Sequence, residues 1–273
     1  MDKARRGKRS VEELISDKDL LRLINKQMAG QTVLQLAVAG PHAYGYANKQ
    51  SALQVTGIYV EPTEHLVGLE DAHGMANWVG EFHDQRVDYS ALEVGLAFKH
   101  LLRGDGSVLE RVLAPQQLIL SHDLDRLQTT AKGLICTRFH GYYRSFCKGI
   151  LSDIEESTHP SVQHMLSAYR TGLTGVHLLR TGKIELELTK LAEDYGVREV
   201  EQLMALNREK ESLLEVRQPW TKLLVRVHAL LEESYDLSEL PTDPPKPAAA
   251  EEYLLDMRRR FFDAKTMRDG RLC

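Results

Sequence analysis

The chain has 273 residues, 42% hydrophobic and 27% charged, with a formal net charge of −4. That suffices for a normal core in one large domain or two modest ones, and the slight acidity excludes a global attraction to nucleic acid or to an acidic membrane surface. No apolar run approaches the roughly 20 residues that span a bilayer as a helix, and the basic stretch 1–10 leads into no apolar signal region, so the expectation is no membrane and a cytoplasmic location. Cys136, Cys147 and Cys273 form no Cys-x-x-Cys pair, and an odd count gives no disulfide framework. The first two, placed three turns apart on one expected helix, read as buried thiols. No His-x-x-x-His spacing occurs, so no protein-built zinc site is expected.

Ser10-Val-Glu-Glu13 has the form of a capping box, and Leu14, Ile15, Leu20, Leu21, Leu23 and Ile24 follow it at helical spacing, with a stop expected near Gly30. Val33 to Val38 is a short β-rich run ended by Gly40; His42 to Ala47 reads as a short helix and Leu53 to Val60 as a second strand closed by Pro62. Trp78 to Phe82 with Arg86 to Asp88 reads as a third strand, after a loop over 69–76. Beyond Asp88 the spacing of Tyr89, Leu92, Leu96, Lys99 and Leu102 is helical, which makes Asp88 a candidate helix N-cap. Val108, Leu109 and Val112 suggest a short helix before Pro115. Helices are then expected over 121–134, 136–155, 161–180, 187–195, 198–210 and 216–234. Four prolines between Leu240 and Ala250 read as a semi-extended linker, followed by an amphipathic helix at about 251–264. The expected class is α+β: an α/β head over 1–120, a helical domain over 121–236, a Pro-rich linker over 237–250, and a C-terminal helix with its tail over 251–273.

Residues 40–60, from Gly-Pro-His-Ala-Tyr-Gly through Leu53-Gln-Val-Thr-Gly-Ile-Tyr-Val60, carry the most specific signal. The stretch resembles the site of the DNA polymerase beta superfamily of nucleotidyltransferases, most of all the predicted nucleotidyltransferases associated with RNA repair. Those proteins open the site with Gly-Ser after a strand and place Asp-apolar-Asp further along, on a second strand. The alignment needs no gap: Gly40 matches, Pro41 replaces Ser, and Ala52 and Gln54 stand at the two Asp positions. Asp88, in Val-Asp-Tyr, falls where the third carboxylate is expected. The likeness runs over about 30–210: Glu110 resembles the Glu of a recurrent Asn-Pro-x-x-x-Glu segment, with Gly106-Ser107 for Asn-Pro, and Tyr169-Arg170, Gly175 to Leu179 and Thr181 to Glu185 resemble the helical region that follows.

The resemblance implies a small mixed sheet and a helical C-terminal half. It also implies a nucleotide-binding set of Gly40, Pro41, His42, Tyr44, Arg170 and His177, and a site where magnesium would sit on Ala52, Gln54 and Asp88. Nucleotidyl transfer uses two magnesium ions, about 4 Å apart, to grip the attacking and leaving oxygens, and carboxylates at i and i+2 of a strand share the face that holds them. Ala52 has no donor atom and Gln54 only a neutral carbonyl. Two missing negative charges weaken metal binding by several kcal/mol even at an effective dielectric of about 20. The expectation is therefore a catalytically degenerate nucleotidyltransferase fold acting as a nucleotide-, RNA- or protein-binding or regulatory module. Two alternatives stand beside it: an active magnesium-dependent transferase with relocated carboxylates, drawn from Asp88, Asp71, Glu61, Glu81 and Asp84, and a structural interaction protein.

Other stretches keep two readings. Arg170, His177 and Arg180 share a helix face, either for phosphate contact or as a solvated surface. Phe139, Tyr142, Tyr143 and Phe146 among Arg138, Arg144 and Lys148 suit base stacking or core packing. Lys3, Arg5, Arg6, Lys8 and Arg9 suit RNA or a solubilising tail. Arg258-Arg-Arg260 beside Phe261-Phe262 suits docking into a partner's groove or packing back onto its own chain.

Overall fold

The structure, a computed structural model describing residues 18–28, 31–67, 69, 74–119, 121–156, 161–208 and 218–262, keeps its strands before Val94 and is helical beyond it. Helix α1 (Lys18–Gln27) leads into β1 (Thr32–Ala39), a one-turn α2 (Gly40–Ala43), β2 (Leu53–Val60), a short α3 (Thr63–Val67), β3 (Met75–Phe82) and β4 (Gln85–Glu93). The sheet order is β1-β2-β4-β3, with β2 and β4 parallel and the two outer pairs antiparallel. Helices follow: α4 (Val94–Leu102), α5 (Gly106–Val112), α6 (Leu124–Lys132), α7 (His140–Glu156), α8 (Val162–Thr181), α9 (Leu188–Asp194), α10 (Val200–Arg208), α11 (Gln218–Asp236) and α12 (Pro247–Arg260). The protein is α+β, a small mixed sheet followed by helices. Among the described residues no helix is long and apolar enough to cross a membrane.

Strands β1, β2 and β4 carry buried residues on both faces of the sheet, while the edge strand β3 does not. Leu20 and Ile24 of α1, with Met28 just after it, cover one face through Leu36, Val38, Leu53, Val55, Val87 and Tyr89. Helices α4 to α6 and α12 cover the upper part of the other, around Leu34, Ile58, Val60 and Leu92. A β-bulge at Leu34, where the register shifts between Val33 and Gln35, lets consecutive residues serve that helical side. Leu34 joins its core while the Gln35 amide donates to the Arg111 carbonyl at 2.7 Å.

Four local expectations are corrected. The third strand is two strands of a hairpin, turned by His83 and Asp84 at φ 50° and 61°; a two-residue turn with both residues left-handed matches strand twist, but His-Asp lacks the usual Asn-Gly signature. Asp88 is not a helix cap. Parallel pairing with β2 keeps β4 extended to Glu93, whose carboxylate accepts from the amides of Gly95 (2.6 Å) and Leu96 (3.4 Å) and caps α4. The helix expected over 42–47 is the single turn α2, beginning at Gly40. Cys136 and Cys147 are free and buried as expected, yet Cys136 precedes the 3₁₀ turn Thr137–Phe139 and does not share α7 with Cys147. Ser10 to Ile15, the cluster from Lys3 to Arg9, Gly30, Asp71 and Cys273 lie outside the described residues.

The last helix packs back onto its own chain. It begins at Pro247, where proline's fixed φ suits a first helical turn, and buries Tyr253 against Phe98 with ring centroids 5.3 Å apart. Arg258 bonds Glu93 at 2.7 Å, Arg260 grips Asp123 through two bonds of 2.6 and 2.9 Å, and Asp256 meets Arg126.

Candidate functional site

A cleft of about 260 Å³ opens between the lower sheet and the helices, lined among others by Ala39, Tyr44, Gln54, Thr56, Ser90, Ser107, Glu110, Arg111, Tyr142 and Arg170. Its sheet wall follows from strand periodicity. Val55 and Tyr89 face α1, so their neighbours Gln54, Thr56 and Ser90 face the cleft. The parallel register sets Gln54 beside Asp88 and Thr56 beside Ser90.

One end of the cleft is the turn after β1. Gly40 has φ +66°, a conformation that favours glycine. A Cβ there would stand 2.2 Å from Gln54 Oε1, so the Gln54 amide fills the space that the missing side chain leaves. Pro41 carries neither an N–H nor a hydroxyl. The His42 ring lies 3.3 Å from the Ser51 carbonyl, and the Tyr44 amide donates to Gly40 O at 3.0 Å. Ala52 sits one residue before β2 and does not line the cleft. Asp88, on the same strand face as Ser90, is bonded by Arg86 Nε at 2.8 Å and is not among the lining residues either.

The inner wall is built differently. Arg170 of α8 and Glu110 of α5 form a buried ion pair at 2.5 Å, both side chains 6% exposed. The Arg170 guanidinium also lies over the Tyr44 ring, 4.1 Å from its centroid. Desolvation works against the Arg170 charge, but the Glu110 carboxylate, with Tyr44 and Tyr46, outweighs it and holds the group above its ordinary range. Tyr142 borders the cleft, and Tyr143 is fully buried behind Glu110. The close approach of α7 and α8 needs Gly175, where a Cβ would come 2.6 Å from the Tyr143 ring.

Arg111 follows Glu110 on α5 and enters from the same wall. Its Nη1 donates to the carbonyls of Ser90 (2.7 Å) and Gly57 (3.4 Å), and its Nη2 to Ser90 Oγ (3.2 Å). Burial pushes this guanidinium down, with no carboxylate close enough to offset the loss of solvent.

The structure thus brings Tyr44, Gln54 and Arg170 from the sequence-based set into the cleft lining, with Gly40 packed against Gln54, while Pro41 and His42 do not line it. It leaves out His177, which is bonded to the Tyr195 hydroxyl at 3.1 Å and pushed down by desolvation. Seven residues carry a helix about 10 Å along its axis, so His177 and Arg180 meet Tyr195 while Arg170 stands two turns away. Glu61, bonded to His65 and Gln31, does not line the cleft, nor do Glu81 and Asp84 of the β3–β4 hairpin. Phe139 and Tyr143 are core residues, and Tyr142 alone of the aromatic set borders the cleft. Arg111, Thr56 and Ser90 were not singled out from sequence. Period-two alternation on β2 and β4 was a signal for the last two; Arg111, beside apolar Val108, Leu109 and Val112, gave none. Among the described residues no three His, Cys, Asp or Glu side chains gather where a metal ion could be held.

A sequence model of RlaP, the RNA repair pathway DNA polymerase beta family, matches residues 13–256. The chain belongs to this family. The RlaP match spans the sheet, the cleft and all but the last turn of α12. Among solved structures the chain is similar to a nucleotidyltransferase-like protein from Exiguobacterium sibiricum 255-15, at 12% identity and a TM-score of 0.31, over 87% of this chain and 77% of that one. No curated protein matches.

Proposed function

We propose that this RlaP-family protein is catalytically degenerate and retains its cleft as a nucleotide-binding, regulatory module. The observation that carries the reading is the fate of the three ligand positions. Ala52 offers no donor and lies off the cleft, Gln54 packs its neutral amide onto Gly40, and Asp88 is committed to Arg86. Magnesium needs oxygen ligands in near-octahedral order, and one carboxylate already neutralised by an arginine does not make that site. The residues present do not fit the magnesium pair that nucleotidyl transfer requires, so no transfer step is assigned to them. What supports binding is the preserved frame: the Gly40 turn, the Tyr44–Arg170 stack and the polar sheet wall of Thr56 and Ser90.

The test is incubation of the full chain with labelled nucleoside triphosphates, magnesium or manganese, and either cellular RNA or a cell extract. No label transfer is expected at any metal concentration. Transfer that Asp88→Asn abolishes would establish instead the relocated-carboxylate transferase.

A further inference from the structure

The cleft contains two guanidinium groups and one carboxylate. Arg170 and Glu110 neutralise each other at 2.5 Å. Arg111 does not share that carboxylate: among the described residues its hydrogen bonds reach only the Ser90 and Gly57 carbonyls and the Ser90 hydroxyl. The carboxylate whose charge acts on it, Asp105, is occupied by the Ser107 amide and hydroxyl (3.0 and 2.6 Å) and by His100 (2.7 Å). An arginine cannot shed its charge, so one cation remains uncompensated on the cleft wall. Beside it the Thr56 hydroxyl is buried in the same lining with no hydrogen-bond partner among the described residues. A buried hydroxyl without a partner is an exception that a bound group resolves.

The ligand chemistry follows from these groups. Planar guanidinium donors match phosphate oxygens, and Thr and Ser hydroxyls donate to the same acceptor. At about 260 Å³ the space is below the ~300–1,000 Å³ that encloses a drug-sized molecule, so it accommodates a phosphate group rather than a whole nucleotide. We propose that the cleft is a metal-independent oxyanion site, in which Arg111, with Thr56 and Ser90, holds the phosphate group of a mononucleotide. This rests on the binding reading above and extends it. Positive charge that divalent ions bring to a nucleotidyltransferase site is here part of the chain, on α5, adjoining strand positions one step beyond Gln54 and Asp88.

Calorimetric titration of the full chain in EDTA tests this, with inorganic phosphate, pyrophosphate, AMP, ATP and adenosine as probes. Pyrophosphate and ATP are expected to bind, more weakly as salt rises, and adenosine is not; phosphate against AMP tells a free anion from a nucleotide-borne one. Arg111→Gln should weaken binding tenfold or more, while Arg22→Gln, on the exposed side of α1, should leave it unchanged. Because Arg111 ties three hydrogen bonds to the sheet, Thr56→Val serves as the second variant: it keeps the shape and should weaken binding severalfold. Absence of phosphate binding in EDTA, adenosine binding as tightly as ATP, or unchanged ATP affinity in both variants would overturn the assignment. None of these readouts involves turnover. Label transfer would therefore remove the non-catalytic reading alone, and failed binding in EDTA would remove the Arg111 site alone.

Discussion

The two ends of the cleft have been treated in opposite ways. At the sheet end, where strand β2 meets the Gly40 turn, no charge lines the cleft: Gln54 lies on Gly40, and Asp88, its register partner just outside the lining, is paired with Arg86. At the helical end, charge is kept and buried, with Arg170, Glu110 and Arg111 packed within one wall. Charges that serve only a ligand can vanish from a strand surface at little cost to folding. A buried pair cannot lose one member without stranding the other, which holds the helical end in place whatever happens to catalysis.

Glu110→Gln is the sharpest way to test that contrast. It leaves Arg170 buried and unpaired and should destabilise the protein by about 3–5 kcal/mol in urea unfolding, whereas the double variant Glu110→Leu with Arg170→Met should recover most of that loss. If the single variant costs no more than a surface substitution, the helical end is not held by its ion pair. Next in size is the contact of α12 with the sheet end of α4. Arg258→Met removes a charge-assisted bond to the buried Glu93 and should cost about 2 kcal/mol, read as a lower denaturation midpoint.

Asp123→Asn tests the same helix through pH. Its two bonds from Arg260 hold the Asp123 carboxyl below its usual range, against some desolvation. A depressed folded-state value means that the stabilisation is complete above the unfolded pKa, about 3.9, and fades as pH falls through the lower folded one. With Arg260 43% exposed, solvent screening limits the effect to about 1 kcal/mol. Wild type should exceed Asp123→Asn by that amount near neutrality, and the gap should close in acid; a gap that persists in acid would mean that the asparagine acts through packing. The smallest effect is expected at the sheet end, where Asp88→Asn should alter stability by no more than about 0.5 kcal/mol. A large loss there would make Asp88 a structural counterpart of Glu110 and erase the contrast.

Much of the fold was legible because it is written in periodicity. The β-rich run Val33 to Val38 and the segment Leu53 to Val60 marked two strands, and spacings of three and four marked α6 to α11. What periodicity misassigned was set by long-range pairing. Tyr89 and Leu92 fit a helix as well as a strand until β2 is laid beside them, and nothing local in His83-Asp84 announces a hairpin. The site divides likewise. Tyr44, Gln54 and Arg170 come from motif positions and converge on the cleft, while His177 has the right helix face but the wrong height. Arg111 was invisible, because only the three-dimensional list of its partners distinguishes a cation braced by carbonyls from one paired with an acid.

The account turns on whether the cleft depends on divalent metal. ATP affinity measured side by side in saturating magnesium and in EDTA decides it most directly. Equal affinity, within about threefold or less than 1 kcal/mol, is the result predicted for a cleft in which, among the described residues, Arg111 is the cation without a carboxylate partner. Tightening by about a hundredfold in magnesium, or near 2.7 kcal/mol, would mean that carboxylates still gather there and would contradict it.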